Sequence, residues 1–434
     1  MALNDLIEKY LPNRFSRKAM LLKESQVFCM APWIQLHAQT NGKVAPCCMS
    51  AVYDSNELGD LRVNPKLEDA WNSDNAKQLR LNMLNGKKSS ICSHCYDYEK
   101  NGKQSERMTY NRDYVHEFHR VKKTGADGTY ADVNIPLIDI RFSNKCNYKC
   151  RICDSAFSAL WFDEEQKIDR PRRPPTIDTE KDIKAVADTS AFMSSYKTLL
   201  PNVQRLHFAG GEPLFMDEHY ETLEYLIAIG RTNITLSYNT NFSVLRYKQY
   251  NIIDLWNRFK VVDIWASLDG MGAQGDYQRK GQKWEKIEEN IRAVQQQCST
   301  VQFGVNITVS IFNILHIPAF YTHLVQNKLV APDRVNLYLL FDPSYFSIVH
   351  LTPALKQKAV QQFQAFESNF LSTLPPAQTT TIKNHMKAVI NYMMGENGTK
   401  QNEFKHWVKA VDALRNENFV TVFPELADMM TDSL

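Results

Sequence analysis

Between Asn134 and Pro343 the chain alternates short runs of β-branched and aromatic residues with longer stretches of helical period. Six runs read as strands: Leu137–Phe142, Gln204–Phe208, Ile234–Ser237, Val262–Ala266, Val301–Val309 and Arg334–Phe341. Helical patterns over Glu218–Ile229, Val244–Arg258, Trp284–Gln297 and Pro318–Asn327 lie between them. Alternation of this kind calls for parallel strands joined by right-handed crossovers. Six such units curl into a partial (β/α)6 TIM-like barrel, and every loop that follows a strand gathers at one rim, where barrel enzymes place their sites. The expected fold class is therefore α/β, with residues 134–343 as the core. Residues 1–133 carry their own cysteine set and linker, and residues 344–434 read as a helical carboxyl-terminal region. A proline-rich basic stretch, Arg170–Pro175, reads as a loop before a helix starting near Asp178.

The loop after the first of these strands contains Cys146, Cys150 and Cys153, a CxxxCxxC spacing. Three thiolates on one short loop can hold three irons of a cubane cluster and leave the fourth iron open to a small molecule. Zinc would have to borrow a fourth ligand from elsewhere. A disulfide framework fits poorly with nine cysteines, an odd number, in 434 residues.

The second strand ends in Ala209-Gly210-Gly211-Glu212-Pro213. Paired glycines allow close backbone approach to a ligand, and a glutamate accepts from an ammonium group. Placed one strand after CxxxCxxC, this turn resembles that of the radical S-adenosylmethionine (SAM) family. Tyr238-Asn239-Thr240-Asn241 and Ser267-Leu268-Asp269-Gly270, each at a strand end, are similar to that family's later motifs. The resemblance covers roughly 136–343. It implies a four-iron cluster on Cys146, Cys150 and Cys153, with SAM chelated at the open iron. It also implies SAM contacts from Ile152, Gly210, Gly211, Glu212, Asn239, Ser267 and Asp269. Ile152 departs from the pattern, since the family usually has an aromatic residue there.

A second set precedes the barrel. Cys29, Gly42, Cys47, Cys48, Cys92 and Cys95 follow C-x12-G-x4-C, a long gap, then CxxC. On spacing alone, iron–sulfur and zinc are equally served. The pattern resembles one half of a SPASM domain, called a twitch domain when it holds a single auxiliary cluster, although such domains usually follow the barrel. The resemblance implies a second four-iron cluster on Cys29, Cys47, Cys92 and Cys95, with Cys48 as an alternative to Cys47. Cys298 reads as a core thiol, and Trp265 and Tyr338–Phe341 as core aromatics. His94 and His207 are metal or acid–base candidates, or merely satisfied polar residues.

Composition fits an enzyme. The net charge of +3 demands neither nucleic acid nor an anionic membrane. No run reaches the ~20 apolar residues of a membrane span, and the first twenty residues lack a signal-peptide pattern. Cysteine usage points to the cytoplasm. The resemblance implies reductive cleavage of SAM to a 5′-deoxyadenosyl radical, driven by an external reductant of flavodoxin or ferredoxin type. That radical abstracts hydrogen from a peptide or protein side chain, and the auxiliary cluster relays electrons. Alternatives are an oxidoreductase or epimerase acting on a small sugar or cyclitol, and a non-catalytic electron-transfer or redox-sensing protein.

Overall fold

A computed structural model describes residues 17–52, 55–100, 104–168, 181–395 and 398–431. The stretch Arg170–Pro175 and the helix expected near Asp178 lie outside them. The chain has a mixed α/β fold made of two compact units that interleave in sequence. One comprises Met1–Phe142, Lys184–His207 and Ala228–Ile234. The other comprises Ser143–Ile183, Phe208–Ile227 and Thr235–Leu434.

The first unit contains β1 (Gln35–Ala38), β2 (Lys43–Ala45), β3 (Gly59–Asp60), β4 (Leu137–Ile140) and most of β5 (Arg205–Phe208), in the order β5-β4-β1-β2-β3. β1, β2 and β3 form an antiparallel meander, with Ala38 opposite Val44 and Lys43 opposite Asp60. β1 also lies parallel to β4, pairing Gln35 with Leu137 and His37 with Asp139. The cysteine-rich hairpin thus shares a hydrogen-bonded ladder with the first strand of the expected barrel. Helices Asp74–Leu84 and Thr189–Leu199 start where short polar side chains, Ser73 and Asp188, accept the first free amides.

The second unit contains β6 (Thr235–Thr240), β7 (Val261–Ser267), β8 (Val301–Val309) and β9 (Val335–Leu339), parallel and in sequential order. β7 alternates strictly. Val262, Ile264 and Ala266 are fully buried, whereas Asp263, Trp265 and Ser267 on the opposite face are half-buried. Helices Asp217–Ala228, Trp284–Gln297 and Ile317–Gln326 occupy the expected intervals. Beyond β9 the chain is helical, over Pro353–Asn369, Pro376–Gly395 and Gln401–Arg415.

The helix expected over Val244–Arg258 does not form. Arg246–Tyr247 and Tyr250–Asn251 make a hairpin, turned by Lys248 at φ 51°, and only Ile252–Trp256 is helical. The cause is aromatic packing. Both hairpin tyrosines stack on Tyr220, with centroids 5.4 and 4.7 Å away, which outweighs helical propensity. Trp265 is not core either: it is half-buried beneath the Arg334 guanidinium, 4.1 Å from its ring, and Tyr338 is 51% exposed.

Candidate functional site

The loop that carries Cys146, Cys150 and Cys153 is held by its own hydrogen bonds. Asn144, 1% exposed, donates to the carbonyls of Ser155 (2.7 Å) and Lys181 (2.9 Å) and accepts from the Ile183 amide. These three bonds close the loop around its cysteines. Lys149–Cys150 pairs antiparallel with Arg279–Lys280, and the Trp161 indole donates to the Cys150 carbonyl at 2.9 Å. None of Cys146, Cys150 and Cys153 is in a disulfide. The Cys153 thiol and the Arg279 guanidinium, 3.7 Å from the Cys150 sulfur, hold Cys150 down to about 7 against the effect of burial. Burial pushes the Cys146 thiol up, and the neighbouring Cys150 adds to that.

The Gly-Gly-Glu turn docks on this loop through its backbone. The Gly211 amide donates to Ser143 O (3.1 Å) and the Glu212 amide to Lys145 O (2.8 Å). Gly210 takes φ 112°, and a Cβ on Gly211 would come within 2.2 Å of Lys145 O. Only glycine fits that approach. Glu212 is 1% exposed. Its Oε1 accepts from Thr240 Oγ1 (2.6 Å) and the Leu214 amide (3.1 Å), and its Oε2 from the Asn241 amide (2.7 Å). A carboxylate offers about four lone-pair sites, so one remains on Oε2. Burial raises Glu212 to about 7, despite these three donors.

The other expected contacts divide. Asn241, rather than Asn239, reaches the cluster loop, donating to Asn147 Oδ1 at 2.8 Å. Asn239 instead ends a row across three strands: Asn306 donates to it (3.4 Å), and Asn336 donates to Asn306 (3.1 Å). Ser267 lies beside Asn306 in register. Asp269 accepts from the Thr308 amide (2.8 Å) and pairs with Arg279 (2.8 Å), the residue that also reaches Cys150. Ile152 is half-buried in the turn between the second and third cysteines.

Sequence reasoning missed Arg279 and Arg151. Arg151, fully buried inside the cysteine motif, pairs at 2.5 Å with both Asp412 and Glu417 and lies 3.5 Å over the Tyr277 ring. No local spacing could have announced partners more than 260 residues away.

In the other unit, Cys29, Cys47, Cys92 and Cys95 line one small apolar cavity together with Met83 and Ile91. Cys48 does not line it; its side chain is exposed, near the charges of Asp139 and Arg141. Burial raises all four lining thiols, Cys92 to about 12. Arg107 ties the two ends of this set together. It donates to Phe28 O (2.8 Å) beside Cys29 and to Glu99 (2.8 and 2.6 Å) on the helix Ser93–Lys100 that follows Cys92. Arg107 itself is only 8% exposed. His94 is exposed, and its Nδ1 lies 3.2 Å from Met49 O, as a satisfied polar residue would.

Residues 29–96 match the SPASM iron–sulfur cluster-binding domain. No curated protein matches the chain. Among solved structures, the chain is similar to native anSMEcpe with bound AdoMet, at 18% identity and a TM-score of 0.39, over 55% of this chain and 62% of that one. It is also similar to Streptococcus suis SuiB bound to precursor peptide SuiA, at 13% identity and a TM-score of 0.36, over 68% and 63%. A third is TYW1 with a lysine-pyruvate adduct bound, at 11% identity and a TM-score of 0.30, over 54% and 72%. The match to anSMEcpe spans about three fifths of that chain's length, and all three likenesses are distant.

Both cysteine sets suit a cluster as donors: thiols outside any disulfide, each set brought together by the fold. Among the described residues, no group of three or more His, Cys, Asp or Glu side chains is arranged for a single metal ion. No described helix is long and apolar enough to cross a membrane.

Proposed function

We propose that the chain is a radical SAM enzyme that abstracts hydrogen from a peptide or protein side chain. The carrying observation is the docking of the Gly-Gly-Glu turn on the three-cysteine loop, through Gly211–Ser143 and Glu212–Lys145. Cys146, Cys150 and Cys153 would hold a four-iron cluster that, with SAM bound at its open iron, supplies a 5′-deoxyadenosyl radical. Glu212 offers its remaining lone pair to the SAM ammonium, while Thr240 and Asn241 fix the carboxylate. Gly211 lets the turn approach without a side chain in the way. Arg279 neutralises charge at Cys150 while Asp269 orients it. Cys29, Cys47, Cys92 and Cys95 would hold a second cluster with no free position, which suits electron relay better than substrate ligation. An external one-electron reductant completes the scheme.

The test is anaerobic incubation of the reconstituted chain with SAM and dithionite. The enzyme releases 5′-deoxyadenosine, and release stops in Cys150→Ala. A chain that carries clusters but releases none is an electron carrier or redox sensor.

A further inference from the structure

Tyr110 lines the cavity that Cys29, Cys47, Cys92 and Cys95 share. It lies on the helix Glu106–Asp113, which Tyr114 terminates one turn later. The two rings are 5.9 Å apart, and Tyr114 stacks on His116 at 6.0 Å. The His116 side chain is 62% exposed. Three rings in succession therefore lead from the cysteine cavity to the surface. A second chain of rings starts beside Cys29. Phe28 is fully buried, and its ring lies 6.1 Å from Phe118, which the Lys18 ammonium approaches at 5.7 Å. His116 and Phe118 belong to one 3₁₀ helix, Val115–Lys123. Both ring chains end on it.

That helix is basic. It reads Val-His-Glu-Phe-His-Arg-Val-Lys-Lys. Its one carboxylate, Glu117, is 7% exposed and accepts from Arg120 Nε at 2.6 Å. Lys122 and Lys123 are exposed, as is Arg17 beside Lys18. The neighbouring acid Asp113 is met by Arg112 at 2.7 Å. Val115 is 40% exposed next to His116, which places an apolar spot where the ring chain surfaces. Cationic patches steer acidic partners into place, and electron-transfer encounters use small contact areas of this kind. Electron transfer through protein weakens steeply with distance, and packed rings bridge the gap better than solvent does.

We propose that the helix Val115–Lys123 is the docking surface for a flavodoxin, a small acidic flavoprotein with an apolar flavin edge at its surface. Tyr110 and Tyr114 connect that surface to the second cluster. Lys122, Lys123 and Arg17 meet the acidic rim of the partner, and Val115 meets the flavin edge. One electron leaves the reduced cluster for the oxidised flavin, which takes up a proton from solvent. The rings are packed matter between the two centres and are not themselves oxidised. The proposal rests on the reading of Cys29, Cys47, Cys92 and Cys95 as cluster ligands, and not on SAM cleavage.

The experiment is stopped-flow reduction of oxidised flavodoxin by the full reconstituted chain, followed by flavin absorbance. The chain carries Cys146→Ala/Cys150→Ala/Cys153→Ala to remove the competing donor, and it is reduced with dithionite and desalted first. At low salt, Lys122→Glu/Lys123→Glu should slow the second-order rate about tenfold or more, and about 0.5 M salt should erase the difference. Lys260→Glu/Lys358→Glu makes the same change of net charge at exposed lysines of the other unit and should leave the rate near the parent's. Tyr114→Leu should keep the salt dependence but lower the limiting rate at saturating flavodoxin, and Tyr114→Phe, which keeps the ring, should restore it. Near-UV circular dichroism identifies any variant that has not folded, and the exposed lysines test the surface whatever Tyr114→Leu does. The proposal is overturned if the four cysteines take up no iron, if the loaded chain passes no electron to flavodoxin, or if both charge-reversed variants react alike. A folded Tyr114→Leu chain with an unchanged limiting rate overturns it as well. Charge-sensitive transfer in a protein that releases no 5′-deoxyadenosine keeps this surface and removes the radical reading. Normal release of 5′-deoxyadenosine with transfer indifferent to Lys122 and Lys123 removes the surface alone.

Discussion

Glu212 has two duties, and they separate by substitution. Its carboxylate satisfies the Leu214 and Asn241 amides and the Thr240 hydroxyl, and on the proposed function it also meets SAM. Glu212→Ala would strip all three and confuse folding with binding. Glu212→Gln keeps the shape and a carbonyl acceptor but loses the charge. It should weaken SAM binding by about 10- to 100-fold, the loss of one charged hydrogen bond, with little change in iron content. Calorimetric titration of the reconstituted protein checks this, and unchanged affinity removes Glu212 from the site. At this scale the cysteines and the Gly-Gly-Glu turn were legible because their chemistry is tied to short spacings. Asn241 was not separable from Asn239, since two asparagines flank one threonine and only the course of β6 decides which meets Asn147. Gln35 and His37 stayed hidden for another reason. Gln35-Leu36-His37-Ala38 alternates polar and apolar over only four residues, and such alternation implies one solvated face, whereas all four are buried.

At the scale of elements, strong periodicity carried through. Val301–Val309 and Trp284–Gln297 have the bounds that their patterns imply. The Tyr247–Tyr250 hairpin did not, because its stability comes from stacking on Tyr220. The helix Gln401–Arg415 had only an apolar stripe to identify it, yet its last turns grip the cluster loop. Asp412 takes Arg151, and Arg415 pairs with Glu164 at 2.8 Å. Arg151→Met should therefore cost about 3 kcal/mol of unfolding free energy, because Asp412 loses its cation while Glu417 keeps Lys280, and adding Asp412→Asn should recover part of it. Urea unfolding of the metal-free chain measures both. Iron content after reconstitution should fall in the single variant if this grip positions the cysteines. A second prediction concerns the helix Asp217–Ala228. His219 is fully buried, with Nε2 2.9 Å from the Tyr238 hydroxyl, and burial lowers it to about 3. Below pH 6.5 the unfolded chain takes up a proton that the native chain refuses. Stability therefore falls on acidification, by up to about 1.4 kcal/mol per pH unit from this residue. His219→Phe should flatten the dependence between pH 6.5 and 5 by about 2 kcal/mol in urea midpoints converted to free energy, and an unaltered slope refutes it.

For the whole molecule, the expectation is two clusters of different duty. Anaerobic reconstitution of a Cys92→Ala/Cys95→Ala variant should give about half the iron of the parent. It should still release 5′-deoxyadenosine, but convert no substrate. Full iron, or normal turnover, in a folded variant ends the relay role. The cysteine sets were legible from sequence as two groups, but their settings were not. Arg107 and Arg151, each binding one set to a distant segment, are single arginines without a motif. The parallel pairing of β1 with β4 has a consequence for anyone wishing to trim this protein. A module strung on a linker can be cut away, whereas the meander before residue 133 shares its backbone bonds with β4. Removing it would leave β4 with a bare row of amides and carbonyls, open to any passing strand. The predicted outcome of truncation is insoluble protein rather than a simpler enzyme.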